Sequence, residues 1–264
     1  MGADTNVYPH LDQYPKGEEN GYDFYIGRLG WSVNKPRIQY PEGFDLITGE
    51  PLSQGHTCQF QLEAAAIARP ERTYAYWWVA GPAHADAAGK DPFEFGRKQA
   101  KLLIQQRQTY KHIVYGTTLF ADIEGTGWDY CRYGGLCDRN QQVLEGFLQT
   151  IAAKGFRPGV YTNIETWLDV LGREYNPPMP FVLWLTSCST YCGRSIDRAA
   201  LNTVKNTVLG GMKTVIWQYQ MGVGCPDYDA TSKNPSAGFV PKPEADEIPY
   251  RCTCDELGGH CPAE

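Results

Sequence analysis

The sequence predicts an α/β fold in which strands and helices alternate and close into a TIM-like (β/α) barrel. Short segments rich in β-branched and aromatic residues alternate with amphipathic, capped segments, which is the pattern of a parallel sheet. About eight such units fit within 264 residues, the length of one barrel domain. An open doubly wound sheet is the alternative, but no G-x-G-x-x-G sequence follows any predicted strand.

Each predicted strand is apolar or β-branched and is bounded by glycine, proline or polar residues. In chain order the eight predicted strands are Met1–Asp4, Gly21–Trp31, Thr73–Ala80, His112–Glu124, Arg157–Thr162, Phe181–Leu185, Thr214–Tyr219 and a weaker one at Pro226–Ala230. The predicted helices have their own start and stop signals, such as an aspartate cap or a terminal glycine. They are Phe60–Ala68, a helix capped by Asp91, one from Asp138 to Gly155, one from Asn163 to Leu171, and Asp197–Leu209 before Gly210-Gly211.

The fourth predicted strand carries two acids at its end, Asp122 and Glu124. Side chains two residues apart share one face of a strand, so these carboxylates are expected roughly 7 Å apart. Two acids so close do not ionise independently, and one is pushed toward its protonated form. An acid beside an anion suits general acid catalysis, although solvated or helix-capping acids at a strand end are the alternative.

Other acids and aromatics are expected at the same place, because the carboxyl ends of parallel strands meet at one rim of a barrel. Asp4 ends the first strand, and Asp229 lies with Asp227 at the eighth. The aromatic residues expected around this mouth are Tyr76, Trp78, Tyr161, Trp184 and Trp217. Carboxylates can act on a glycosidic bond while aromatic faces hold sugar rings, so the sequence predicts a glycosidase cleft.

Composition and charge favour carbohydrate binding and argue against nucleic-acid binding and a membrane span. Aromatic residues make up 13% of the chain, with 7 Trp and 17 Tyr, which suits carbohydrate binding. The net charge of -6 and the lack of a basic run argue against nucleic-acid binding. No apolar stretch has the length of a membrane span. No P-loop occurs, which argues against a nucleotide enzyme, and no G-x-S-x-G nucleophile motif occurs. No cofactor is expected, and the protein is expected to be a monomer.

The nine cysteines predict a secreted, disulfide-bonded protein with one thiol left over. Several lie close in sequence, as in the pairs Cys131 with Cys137 and Cys188 with Cys192. No secretory signal begins at Met1, which a trimmed chain would explain. The alternative for the tail is a zinc site formed by Cys252, Cys254, His260 and Cys261, but its spacing lacks a C-x-x-C knuckle. No metal is therefore expected.

The order of short motifs resembles glycoside hydrolase family 25, the lysozymes that cut peptidoglycan. The motifs are Gly2–Asp4, Asp23–Arg28, Ala121–Glu124, Arg157–Asn163, Val182–Leu185, Val215–Tyr219 and Asp229. The resemblance spans residues 2 to about 230, which predicts a catalytic barrel at 1–230 and a cysteine-pinned tail at 231–264 packed on it. Two departures are Tyr76-Trp77-Trp78 where the family often has Tyr-His-Phe, and Asp4-Thr5-Asn6 in place of Asp-x-Ser.

The resemblance implies an incomplete (β/α) barrel that cleaves the β-1,4 bond after N-acetylmuramic acid. It makes Glu124 the general acid, while Asp122 stabilises positive charge or orients the substrate's acetamido group. It also implies that Asp4 and Asp229 complete an acidic ring. The sugar-subsite residues that it implies are Tyr76, Tyr161 and Trp184. A covalent and a substrate-assisted intermediate both need these groups, so the choice stays open.

Two other functions stay open on the same barrel. One is another endo-glycosidase, such as a chitinase with a D-x-x-D-x-D-x-E motif. Thr117 and Phe120 occupy two of the acidic positions of that motif, which disfavours it. The other is a non-catalytic glycan-binding protein, against which the retention of four acids argues, because crowded carboxylates are costly to bury.

Overall fold

The computed structural model describes residues 2–5, 24–33, 44–45, 73–109, 111, 116–125, 127–131, 137–186, 204–221 and 228–233. Its strands are β1 Gly2–Thr5, β2 Phe24–Val33, β3 Phe44–Asp45, β4 Thr73–Trp78, β5 Thr118–Asp122, β6 Arg157–Asn163, β7 Val182–Thr186, β8 Val208–Leu209, β9 Met212–Met221 and β10 Tyr228–Lys233. Its helices are α1 Pro82–Ala87, α2 Pro92–Thr109, α3 Cys137–Ala153 and α4 Ile164–Val170. None of the helices in this part of the chain has the length and apolarity needed to cross a bilayer. The predicted helix at Phe60–Ala68 lies outside the described residues.

The strands form a sheet that curls back on itself. Hydrogen-bonded neighbours follow the order β1, β10, β9, β7, β6, β5, β4, β2, and β1 also pairs with β2. Neighbours from β2 through β9 along this path are parallel, whereas β10 is antiparallel to both β9 and β1. The predicted α/β fold with a curled, largely parallel sheet is therefore confirmed. A full TIM barrel of eight parallel strands is not confirmed, because β10, the last strand of the described residues, runs antiparallel to its neighbours.

The last predicted strand and the fifth predicted helix differ most from the structure. The last strand was expected at Pro226–Ala230, but β10 extends to Lys233, past the expected domain boundary, and the tail from 234 onward lies outside the described residues. The fifth predicted helix does not continue to Leu209, because Val208 and Leu209 pair antiparallel with Lys213 and Met212 of β9.

Glycine explains this second difference. Gly210 and Gly211, with φ values of 56° and 74°, connect β8 to β9. Two consecutive residues with positive φ form the tight turn of a β-hairpin, and glycine adopts that conformation without steric cost. A glycine pair that predicts a helix stop is thus a hairpin turn in the fold.

Alternating side chains divide the apolar core into two layers on opposite faces of the sheet. The inner layer fills the curled sheet and consists of Ile26, Tyr76, Phe120, Tyr161, Val182, Trp184 and Ile216. The outer layer joins the other sheet face to the helices and includes Trp77, Leu119, Ala121, Leu183 and Leu185 with Phe95, Leu103, Val143 and Phe147. The inner layer includes three of the predicted site residues, Tyr76, Tyr161 and Trp184.

Two glycines allow α2 and α3 to pack with their backbones in contact. A Cβ atom on Gly96 of α2 would overlap the carbonyl oxygen of Val143 in α3. A Cβ atom on Gly146 of α3 would overlap the carbonyl oxygen of Phe93 in α2. Because a buried backbone carbonyl cannot move aside as a flexible side chain can, the spacing of these helices depends on both glycines.

Candidate active site

One row of residues crosses the carboxyl ends of four adjacent parallel strands. Trp78 is the register partner of Asp122, Asp122 of Tyr161, and Tyr161 of Trp184. Residues opposite each other in parallel strands point to the same face of the sheet. This row lies on the inner face because Tyr161 and Trp184 belong to the inner core. The structure therefore brings four of the predicted site residues together.

The acid pair has a different local geometry from the one predicted. β5 ends at Asp122, and Glu124 lies in the segment that follows, rather than on the strand. Asp122 is only 7% exposed, and its Oδ1 accepts a hydrogen bond from the backbone N–H of Glu124 at 2.9 Å. This bond from residue i to the N–H of residue i+2 is the Asx turn that aspartate readily forms. Asp122 thus shapes the turn that presents Glu124.

Glu124 is held by a side chain from the neighbouring strand. Asn163, the last residue of β6, donates a hydrogen bond from Nδ2 to Glu124 Oε1 at 2.7 Å. Burial raises the pKa of Glu124 above its ordinary value, and the hydrogen bond from Asn163 partly offsets that rise. The pKa of Glu124 is therefore raised, as the closeness of the two acids in sequence predicted. The largest cause of the raised pKa is the loss of solvent on burial.

Asn163 is a site residue that sequence analysis assigned only to helix capping. Its Oδ1 does cap α4, accepting the backbone N–H of Thr166 at 2.7 Å. The same side chain also contacts Glu124, which the sequence does not reveal. A polar residue placed at the end of the strand that follows the acid pair is the signal that would have suggested it.

Asp4 and Asp229 lie opposite each other in the backbone ladder. They are register partners in the antiparallel pair of β1 and β10. The predicted convergence relied on the end of a parallel strand, but Asp229 is the second residue of β10. Because β10 runs in the opposite direction to β9, its beginning lies beside the carboxyl end of β9 at Met221. The backbone thus brings these two acids together, and their participation in a site with Glu124 remains a prediction.

Three of the predicted aromatic residues lie in the inner core, two of them in the same row as Asp122. Tyr76, Tyr161 and Trp184 are buried in the inner core, and Trp184 is 1% exposed. The Trp184 ring contacts Tyr161 at a centroid distance of 4.5 Å, and it meets Tyr76 and Phe120 edge to face. Trp78 is half-buried, and its ring is the one of this predicted set with substantial exposed surface.

Trp217 does not belong to this group. It is 3% exposed and packs in the outer core with Leu185, its register partner, while Ile216 faces the inner core. The register between β7 and β9 shifts at this point, because Leu183 pairs with Thr214 whereas Trp184 pairs with Ile216. Such an irregularity changes which face a side chain occupies, and no residue pattern in β7 or β9 indicates it. The prediction that Trp217 contacts substrate is corrected accordingly.

Two buried side-chain amides hold the loops of this rim. Gln99 of α2 accepts the N–H of Ala80 at 2.8 Å and donates to its carbonyl at 3.0 Å. Asn140 of α3 accepts the N–H of Asp129 at 3.0 Å and donates to the carbonyls of Asp129 and Val170. Each amide replaces hydrogen bonds that buried loop backbone would otherwise lack. The segments after β4 and Glu124 are consequently anchored to the helices.

A disulfide joins Cys131 to Cys137 across a Cα–Cα distance of 5.1 Å. This confirms that the predicted short-range cysteine pair is a staple, and it links the loop after Glu124 to the start of α3. Cys188, Cys192 and the tail ligands of the zinc alternative, 252–261, lie outside the described residues. Within the described part of the chain, no group of three or more His, Cys, Asp or Glu side chains could hold a metal ion.

The sequence matches no protein-family model and no curated protein. The structure resembles a family GH25 lysozyme from Aspergillus fumigatus with a TM-score of 0.54 at 15% identity, covering 95% of this chain and 98% of that one. It resembles a muramidase from Trichobolus zukalii with a TM-score of 0.53 at 12% identity, covering 90% and 96%. A lysozyme from Streptomyces coelicolor gives a TM-score of 0.52 at 15% identity, covering 88% and 91%. The resemblance predicted from the motif order is confirmed at the level of the fold: the chain folds as the GH25 lysozymes do.

Proposed function

We propose that this protein is a glycosidase that cleaves the β-1,4 bond of peptidoglycan between N-acetylmuramic acid and N-acetylglucosamine. The observation that carries the proposal is the partly buried Glu124 carboxyl, held by Asn163 just after the parallel strand that ends at Asp122. The fold shared with lysozymes supports the substrate class. The resemblance in motif order supports the particular bond.

In the proposed reaction Glu124 is the general acid. Burial raises its pKa, so the carboxyl keeps a proton that it can give to the leaving glycosidic oxygen. Asp122 uses Oδ1 to hold the Glu124 N–H, and its charge stabilises the oxocarbenium-like transition state or orients the acetamido group. Asp4 and Asp229, opposite each other in the ladder, would add negative charge to the wall of the cleft.

Sugar binding would use the aromatic residues of the same rim. Trp78 offers a partly exposed ring in the row that contains Asp122, and aromatic faces stack well on the apolar side of sugar rings. Tyr76 and Tyr161, each 6% exposed, would contact substrate only through the small surface that they leave accessible, whereas Trp184 would act by packing against Tyr161. We further propose that the protein is secreted, since its disulfide favours an oxidising compartment. We also propose that it is a monomer and needs no cofactor.

The test is digestion of purified peptidoglycan, followed by turbidity and by mass analysis of the reduced products. Muramic acid at the new reducing end is the expected result. A reducing end at N-acetylglucosamine, or cleavage of chitin alone, would instead select another endo-glycosidase on this fold. Binding to glycans with no cleavage of any of them would select a non-catalytic glycan-binding protein.

The activity should persist above the pH at which an ordinary glutamate loses its proton. A general acid acts only while protonated, and burial raises the pKa of Glu124 above the ordinary value of 4.5. The rate should therefore fall as pH rises through this elevated pKa. The measurement is kcat/KM for soluble muroglycan fragments across the acidic and neutral range. A falling limb at or below 4.5 would contradict the assignment of Glu124.

A further inference from the structure

We infer that Asn163 is a positioning residue for Glu124, whose amide connects the first turn of α4 to the acid and fixes which carboxyl oxygen carries the proton. This inference rests on the proposed role of Glu124 as general acid. Asn163 itself is not proposed to touch the reacting atoms. It acts through the two hydrogen bonds of one side chain.

The orientation of this amide is determined by the chain. Asn163 Oδ1 accepts the Thr166 backbone N–H, which can only donate. Turning the amide over would bring the NH₂ group against that N–H, leaving two donors facing each other. Nδ2 must therefore point away from α4, and it meets Glu124 Oε1 at 2.7 Å. The capping hydrogen bond to Thr166 therefore orients the Asn163 amide so that its NH₂ group donates to Glu124.

This donor has a consequence for the acid proton. An oxygen that accepts a hydrogen bond from an amide NH₂ is disfavoured as the site of a carboxyl O–H, because two donors would then oppose each other. Glu124 Oε1 is held as the acceptor, so the acid proton belongs on Oε2. The backbone N–H of Glu124 is in turn held by Asp122, which limits rotation of the residue as a whole. Asn163 would in this way determine that the acid proton of Glu124 is carried by Oε2.

Other ionisable groups near Glu124 form a background that the test leaves unchanged. On the strand that precedes Glu124 and on the elements next to it, they are Asp122 on β5, Tyr76 on β4, Tyr161 on β6 and Glu165 in the first turn of α4. None of them is altered in the variants below. Differences between variants therefore report on the Asn163 contact.

Asn163→Asp is the discriminating variant. Aspartate is isosteric and caps helices as well as asparagine, so α4 keeps its cap. The donor that faces Glu124 is replaced by an acceptor oxygen, which is anionic at neutral pH. We expect the pKa of Glu124, followed by ¹³C NMR of its carboxyl carbon, to rise. We also expect kcat on peptidoglycan fragments to fall by about 100-fold, with a smaller change in KM, because a misdirected proton slows the chemical step.

The matched control is Asp91→Ala, which removes a cap elsewhere. Asp91 accepts the backbone N–H groups of Phe93 and Glu94 at the start of α2 at 3.0 and 3.1 Å. The Asp91→Ala variant should lose a comparable helix cap without changing the pKa of Glu124 or kcat. Asn163→Ala loses both the cap and the donor, and should combine the two effects.

An unchanged Glu124 titration in Asn163→Asp would overturn the inference, as would an equal loss of kcat in Asp91→Ala. A wild-type protein inactive on every glycan would remove the proposed function. The NMR titration would still decide whether Asn163 controls Glu124. The two failures are therefore distinguishable.

Discussion

Glu124→Gln is expected to lower peptidoglycan cleavage by about 10²–10⁴-fold, the usual contribution of a general acid. Glutamine has the same shape, and its carbonyl oxygen can accept the hydrogen bond that Asn163 donates to Glu124 Oε1. It has no acidic proton to give to the leaving oxygen. The loss should therefore appear in kcat, measured on soluble fragments, with binding retained.

Stability measurements separate this effect from unfolding. Because burial raises the pKa of Glu124, the folded protein favours the protonated carboxyl. The contribution of this carboxyl to the free energy of unfolding is therefore lost as pH rises through its pKa in the folded state. Glutamine does not ionise, and the variant should be at least as stable as wild type at neutral pH. The difference should vanish at pH well below 4.5. The exposed Glu174→Gln is the matched control and should keep full activity. Wild-type activity in Glu124→Gln would exclude Glu124 as the acid.

Gly96→Ala is expected to lower the free energy of unfolding by about 1–3 kcal/mol, the usual cost of overpacking. Alanine is a better helix former than glycine by about 1 kcal/mol, which works in the other direction. The added Cβ would overlap the Val143 carbonyl oxygen, so α2 and α3 must separate. This separation would loosen the apolar contacts between the two helices. Urea unfolding of both proteins at one pH measures the difference.

Two comparisons test this explanation. Lys101→Ala, at an exposed position of the same helix, should change the free energy of unfolding by no more than about 0.5 kcal/mol. Gly146→Ala, on the facing helix, should destabilise the protein, and the double variant should lose less than the sum. Once the helices have separated for one methyl group, the second meets less resistance. A Gly96→Ala protein more stable than wild type would show that helix propensity outweighs the contact.

The sequence predicted well those features that a few neighbouring residues control. Asp91 and Asn163 cap helices in the structure as their positions indicated, and each accepts N–H groups within three residues. The apolar strand that ends at Asp122 also lies within its expected range, although Glu124 follows the strand instead of belonging to it. Propensity, capping and the placement of acids at strand ends depend on short segments of chain. They can be inferred without knowing what the segment packs against.

Features that depend on distant partners could not be predicted in this way. The inner or outer face of Trp217 follows from a register shift between β7 and β9, and the direction of β10 follows from its pairing with β1. Gly210 and Gly211 stop a helix or form a hairpin according to whether β9 is available to pair. In each case the same local sequence allows two outcomes, and long-range pairing selects one.

The sequence by itself determined the order of elements, the acids that end them and the resemblance to a lysozyme family. The tertiary structure alone decided the environment of Glu124, namely its burial and its bond to Asn163, 39 residues further along the chain. The physical reason is that a side chain's identity is local, whereas its solvation and its hydrogen-bond partner come from the strands folded around it.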